Sequence, residues 1–215
     1  MSWGFENRTV VITGGGNGIG RASAIAFAQN DARVAVLDRD LAAAEQTCAF
    51  ANNGINLARA WRCDVASESD ILDTVSAVIH EFSGIDILFN NAGVNRRIKL
   101  ADWKADDWNA LIQVNLIGVF CVARAVGLHM VERGRGSIVN MSALGGGIIG
   151  LGRGTEIYTA TKGRGRHVAR PRRGVGALRR KGKLRGPRLD RYSDKRGFIE
   201  PPCRSATSDR PCAPS

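Results

Sequence analysis

The chain has 215 residues, with 31 Lys and Arg against 20 Asp and Glu and a net charge of +11. It is long enough for one α/β domain with a core, while a start without a charged-then-apolar pattern and apolar runs well short of the roughly 18–20 residues that cross a bilayer argue against secretion and membrane insertion. Residues 1–162 carry 15 basic and 16 acidic side chains, residues 163–215 carry 16 and 4, and all six prolines lie beyond Lys162, so the basic character belongs to the last quarter.

"TVVIT" at 9–13 is a buried-strand run that ends in glycines, and "RASAIAFAQN" at 21–30 has helical spacing. "RVAVLD" at 33–38 is a second strand, followed by a helix over about 41–51. "NLARAWRCDV" at 56–65 reads as a third strand. "SESDILDTVSAVIHEF" at 67–82 is a helix in which Ser67 can cap, Asp70 fits the capping-box position, and Ile71, Val75 and Val78 share a face. "IDILFNNAG" at 85–93 is a fourth strand, a long helix spans about 106–131, and "GSIVNMS" at 136–142 is a fifth strand. Alternating β and α segments imply right-handed crossovers and a parallel sheet covered on both faces. The apolar strands agree with such burial. The expected fold is therefore α/β, a doubly wound parallel sheet.

Of the five cysteines none forms a C-x-x-C pair; Cys48, Cys63 and Cys121 lie in apolar stretches and read as reduced core residues of a cytoplasmic protein. His80, His129 and His167 have no metal spacing and read as surface residues, so no metal is expected. Trp103 and Trp108 are expected to pack the start of the long helix.

"TGGGNGIG" at 13–20 sits between a strand and a helix. Gly14, Gly18 and Gly20 let the backbone turn sharply and approach a ligand with no Cβ in the way, and the helix start offers N–H groups to a pyrophosphate. Asp38 ends the next strand, about 20 residues on. Its carboxylate suits a ribose diol and repels a 2′-phosphate, which favours NAD over NADP, with Arg39 beside it blunting the preference.

With these residues the sequence resembles the short-chain dehydrogenase/reductase family. The matching motifs are Thr13-Gly14-x-x-x-Gly18-x-Gly20, Asp64-Val65, Asn90-Asn91-Ala92-Gly93, Asn115, Ser142 and Tyr158-x-x-x-Lys162, in the family's order over about three quarters of the chain. The resemblance implies that Asn17 and Ile19 share the cofactor turn. It further implies that Asp64 and Val65 approach the adenine, that Asn91, Ala92 and Gly93 run along the cofactor, and that full-length relatives form homo-oligomers around small-molecule chemistry.

A reaction between an alcohol and a ketone needs a proton moved while hydride passes to or from the nicotinamide. A tyrosine with an ordinary pKa near 10 is a poor base at neutral pH, and a cation close by favours its phenolate. Tyr158 and Lys162, four apart, would share a helical face. Tyr158 is thus the general acid/base, and Lys162 its electrostatic partner and a ribose ligand. Ser142 would hydrogen-bond the substrate oxygen. Asn115, as the resemblance implies, would hold a water linking Lys162 to solvent. The interval from Ser142 to Tyr158, "ALGGGIIGLGRGTEI", is roughly three residues longer than is commonest in the family, and its glycines suggest a mobile substrate-side loop.

After Gly163 the pattern stops. The family would continue the helix and then show a strand of the type R-V-N-x-x-x-P-G and a D-T pair. Read one base later, the codons of 167–174 permit M-S-R-A-L-A-V-E, and those of 181–193 permit R-V-N-C-V-A-P-G-x-I-D-T-P. A frameshift near 163–166 is the expectation. It gives an incomplete catalytic domain over 1–163 without its last strands, and a disordered basic tail over 164–215. Poor solubility, impaired assembly and little turnover follow from that reading. A basic arm would bind nucleic acid weakly through charge, but with Tyr192 and Phe198 as its only aromatics no specific nucleic-acid partner is expected.

Overall fold

β1 (Thr9–Thr13) consists entirely of β-branched residues, and every one of them is buried. Such side chains suit a strand covered on both faces, and β1 is the central strand of a five-stranded parallel sheet of order β3-β2-β1-β4-β5. The computed structural model describes residues 4–52, 57–143 and 156–162. Within them the order is β1, α1 (Gly18–Ala28), β2 (Arg33–Asp38), α2 (Leu41–Asn52), β3 (Ala58–Arg62), α3 (Glu68–Phe82), β4 (Ile87–Asn90), α4 (Ala105–Ile112), a π-helical turn (Gln113–Gly118), α5 (Val119–Glu132), β5 (Ser137–Asn140) and α6 (Glu156–Lys162).

The doubly wound sheet is as expected. The chain winds outward from β1 to β2 and β3, then returns to start β4 on the other side of β1. That reversal opens a crevice beyond the carboxyl ends of β1 and β4, the place where ligands bind in open α/β sheets. The register brings Thr13 level with Leu37 and Asn90, so the ends of three strands meet at this edge.

Alternation along the strands divides the core. Val10, Ile12, Val34 and Val36 pack toward α1 and α2, whose contributions are small: Ala24, Ala28, Ala44, Cys48 and Ala51. Val11, Ala35, Leu37, Leu88 and Ile138 pack toward α3 and α5, which supply Ile71, Val75, Val78, Phe82, Val122, Val126 and Met130. Each of the larger side chains contributes roughly 1.5–3 kcal/mol by leaving water.

Local signals explain several boundaries. Ser67 caps α3 by accepting from the Asp70 amide at 3.2 Å, and the helix ends on Ser83 at φ +58° followed by Gly84 at φ +130°. Strands β3, β4 and β5 are shorter than their apolar runs. β4 stops at Asn90 because Asn91 and Ala92 turn their amides onto the Thr13 hydroxyl, each at 3.0 Å.

The long helix expected over about 106–131 is present, with a π turn inside it. From Ala105 to Glu132 it runs 28 residues, with a mean hydropathy of 1.9 in its most apolar window. By length and composition it is therefore long enough to cross a membrane, contrary to the run lengths read from the sequence. Leu111, Val122, Val126 and Met130 are nevertheless fully buried on one side of it.

Trp108 is 47% exposed and so does not pack the helix start as expected. His129 is not a free surface residue, since its Nε2 accepts from the Ile85 amide at 3.2 Å. Cys48 and Cys63 are buried free thiols, and Cys121 is half-buried. The expectations for loop residues 144–155, for His167 and for the tail over 164–215 fall outside the described residues.

Candidate active site

The glycine-rich turn is built for close approach. Gly14 and Gly18 have φ of +62° and +52°, a region that side chains disfavour. A Cβ on Gly20 would stand 2.1 Å from the Gly14 carbonyl oxygen, and one on Gly14 would stand 2.9 Å from the Ala92 Cα. The inner edge of the turn is stitched to β4: the Asn91 side chain donates to the Thr13 and Gly14 carbonyls, both at 3.1 Å. Asn17 precedes α1 without a side-chain cap, and the first turn holds no acidic residue. The helix's first amides and positive end are thus left to an outside anion.

This turn forms one end of a cavity of about 420 Å³. Gly14, Asn17, Gly18, Ile19, Asp38, Asp64, Val65, Asn91, Ala92, Gly93, Tyr158 and Lys162 all line it. Of the expected cofactor residues, Thr13 and Gly20 stand behind the wall and support it. Arg39, Cys63, Val94, Val114 and Met141 also line the cavity; of these only Arg39 was tied to it in the sequence, because the others carry no polar signal for it. Asp38 is held by two backbone donors, Gly16 N–H to Oδ2 at 2.9 Å and Asp40 N–H to Oδ1 at 3.0 Å. Each oxygen keeps acceptor capacity. Ile19 is 61% exposed, an apolar side chain at the rim that none of the described residues covers. Close backbone approach, uncapped amides, a fixed carboxylate and an apolar rim together fit an adenine dinucleotide.

The other end of the cavity holds Tyr158 and Lys162, one turn apart on α6. Lys162 is 4% exposed, and its Nζ donates to the Ala92 carbonyl at 3.2 Å. Burial lowers its pKa, because the ammonium has lost water. Gly93 makes room for it: a Cβ there would stand 2.9 Å from Lys162 Nζ and 3.2 Å from Asn115 Oδ1.

Asn115 and Ser142 stand just outside the cavity wall. The Asn115 amide is spent on the backbone of Val94, accepting from its N–H at 2.8 Å and donating to its carbonyl at 2.8 Å. It donates as well to Thr161 Oγ1 at 3.2 Å, and Thr161 in turn donates to the Tyr158 carbonyl at 2.8 Å. Ser142 donates to the Lys162 carbonyl at 3.2 Å. These bonds tie α6 to β5 and to the π turn. Sequence reading missed Thr161 and Val94, since a threonine inside the Tyr-to-Lys interval and a valine after a glycine carry no distinctive pattern.

A phenol and a buried ammonium that line one cavity, whose far end suits a dinucleotide, are the groups with which an alcohol or carbonyl could exchange a proton there.

The family model described as short chain dehydrogenase matches residues 8–171. D-threitol dehydrogenase of Mycolicibacterium smegmatis is 37% identical over 139 residues, covering 65% of this chain and 54% of its own length. Gluconate 5-dehydrogenase of Gluconobacter oxydans is 35% identical over 154 residues, covering 71% of this chain and 59% of its own. Among solved structures, an NAD+-bound xylitol dehydrogenase superposes with TM-score 0.70 at 32% identity over 74% of this chain and 61% of that one. A 3-ketoacyl-(acyl-carrier-protein) reductase from Brucella melitensis complexed with NADH gives 0.69 at 30%, over 74% and 65%. The chain thus spans less than two thirds of the length of these relatives.

Proposed function

The chain belongs to the short-chain dehydrogenase family, and on that footing we propose that its site interconverts a small secondary alcohol and its ketone with NAD(H) rather than NADP(H). The observation that carries this reading is that Tyr158 and Lys162 line the same cavity as the glycine-rich turn and Asp38. When bound, the nicotinamide supplies or accepts the hydride.

The chain's own residues do the rest. Gly14, Asn17, Gly18 and Ile19 receive the pyrophosphate at the start of α1. Asp38 accepts the adenosine ribose hydroxyls and repels a 2′-phosphate. Asp64 and Val65 border the adenine, and Asn91, Ala92 and Gly93 run beside the nicotinamide half. Tyr158 gives its proton to the substrate oxygen in reduction and takes it back in oxidation. Lys162 holds a positive charge beside that phenol and reaches the second ribose. Ser142 turns its hydroxyl from the Lys162 carbonyl to the substrate oxygen. Asn115 grips Val94 and Thr161 through its amide, and the acceptor site its Oδ1 keeps would hold a water on the Lys162 path.

The free thiols fit a reducing cytoplasm. The expected partners are a small-molecule substrate and further copies of the chain, with no specific nucleic acid and no membrane.

A second reading is that this chain is a nucleotide-binding remnant of such an enzyme. It is favoured by a family match that ends at residue 171 although the chain continues for a further stretch of different composition. On that reading residues 164–215 are out-of-frame translation, and the coding DNA near codon 163 would show it.

Both readings are separated on one purified sample. NADH binding is followed by fluorescence, and turnover is assayed with secondary alcohols such as threitol, xylitol and gluconate and with their ketones. Turnover that Tyr158→Phe abolishes supports the enzyme. Binding with no turnover supports the remnant. Failure to bind NADH contradicts both.

A further inference from the structure

We propose that Arg21, acting with Thr47, is the positioning residue that sets the outer edge of the glycine-rich turn and, through it, the Asp38 carboxylate. The inference rests on the dinucleotide reading above.

The turn has two edges with different supports. Asn91 and Thr13 hold the inner edge at Gly14. The outer edge, Gly15 and Gly16, faces α2 instead, and its carbonyls need donors that a glycine cannot supply. Arg21, in the first turn of α1, folds back over this edge. Its Nε donates to the Gly16 carbonyl at 2.9 Å, and its Nη2 to the same oxygen at 2.5 Å. Nε also reaches Thr47 Oγ1 at 3.1 Å, and Nη2 reaches Gln46 Oε1 at 3.0 Å and Asn17 Oδ1 at 3.3 Å. The guanidinium lies 5.8 Å from the Phe50 ring centroid, within cation–π range. Thr47 is fully buried in the middle of α2, and its hydroxyl donates to the Gly15 carbonyl at 3.0 Å. A fork of fixed N–H groups suits this role better than a single ammonium, since it spans two helices and the turn at once.

The consequence for the ligand runs through one residue, Gly16. Arg21 holds the Gly16 carbonyl, and the Gly16 amide donates to Asp38 Oδ2 at 2.9 Å. Contact there is tight: a Cβ on Gly16 would stand 2.8 Å from that oxygen. The carboxylate proposed to take the ribose diol is therefore aimed by a turn that Arg21 fixes. The Gly15 carbonyl that Thr47 holds and the Gly16 amide form one peptide unit, so those two bonds lie in series and reinforce one another, while Arg21 fixes the peptide on the other side of Gly16. Without Arg21 the Gly16 carbonyl loses its guanidinium donors, the edge is held by Thr47 alone, and the Gly16 amide's grip on Asp38 Oδ2 loosens while the Asp40 amide still holds Oδ1. Arg21 need not touch the dinucleotide to do this.

The test uses the full chain and compares the parent with Arg21→Ala, Arg21→Lys and Thr47→Val. Calorimetric titration with ADP-ribose and with 2′-phospho-ADP-ribose reads affinity and discrimination. Hydrogen exchange over residues 13–20 reads the turn itself, and a thermal melt checks the fold. Arg21→Ala is expected to weaken ADP-ribose about tenfold, to narrow the ratio between the two ligands, and to speed exchange at Gly15 and Gly16. Arg21→Lys should recover part of each, and Thr47→Val should follow Arg21→Ala more weakly. A general loss of stability would not change the ratio. If Arg21→Ala binds ADP-ribose within twofold of the parent, with the same ratio, the proposal is overturned. It is overturned equally if exchange at Gly15 and Gly16 does not move. A variant that fails to fold hands the decision to Thr47→Val on the same readouts. A parent that binds neither ligand marks failure of the dinucleotide reading, and the clamp falls with it.

Discussion

Gly20 and Asn115 show how single atoms set this site. The sequence marks Gly20 as one of three glycines in a turn, and the structure adds the physical reason: its missing Cβ leaves room for the Gly14 carbonyl. Because backbone stands on both sides of that contact, Gly20→Ala should cost NADH binding at least tenfold and also destabilise the fold by about 1–3 kcal/mol. Equal affinity would contradict the packing described. Asn115 was legible as a member of a motif, but its partner was not. Val94 is 21 positions away, and an amide that grips a backbone looks like any other asparagine in a helix. Asn115→Ala leaves the Val94 N–H and carbonyl unpaired in a site where Asn115 itself is 2% exposed, so it should destabilise the chain by about 1–3 kcal/mol. Urea unfolding measures this, and an unchanged midpoint would show that the grip contributes nothing.

At the scale of elements, the α/β alternation was read correctly because apolar runs and helical spacing are local signals. Boundaries were less legible. β4 ends where the Thr13 hydroxyl takes over the next two amides, and the π turn answers to two distant partners: Gly118 must pass the Val65 carbonyl, which a Cβ would meet at 2.4 Å, and Asn115 must reach Val94. The end of α5 carries a second example. His129 accepts from the Ile85 amide and so joins the helix to the start of β4. Burial, and then the Arg133 guanidinium, hold its pKa below the usual histidine value, with Glu132 and Asp86 opposing. The unfolded chain takes up this proton at about pH 6.5, before the folded chain does. The contribution is therefore complete above that pH and declines as pH falls toward the lowered folded value. Urea midpoints from pH 7 to 5 should fall more steeply for the parent than for His129→Gln, and parallel slopes would remove the histidine from the account.

For the whole molecule, the order β3-β2-β1-β4-β5 explains why residues from 13 to 162 meet at one crevice. Neither the strand order nor the shared cavity can be read from local pattern, because both depend on which strand returns beside β1. The long helix also leaves an apolar face: Ile117 of the π turn and Phe120, Leu128 and Val131 of α5 are exposed, Phe120 to 66%. Such a face calls for a cover, and a second copy is expected on it. Sedimentation should show a species heavier than the monomer that Phe120→Glu with Leu128→Glu lightens, while a parent that stays monomeric throughout would leave the face unexplained. The central claim is that one cavity joins a dinucleotide end to Tyr158 and Lys162. The most direct measurement is titration of the purified chain with NADH and NADPH, followed by fluorescence, alongside Lys162→Met. The expected result is saturable NADH binding, NADPH at least tenfold weaker, and a clear loss in the variant. Absence of NADH binding, or binding indifferent to Lys162, would contradict it.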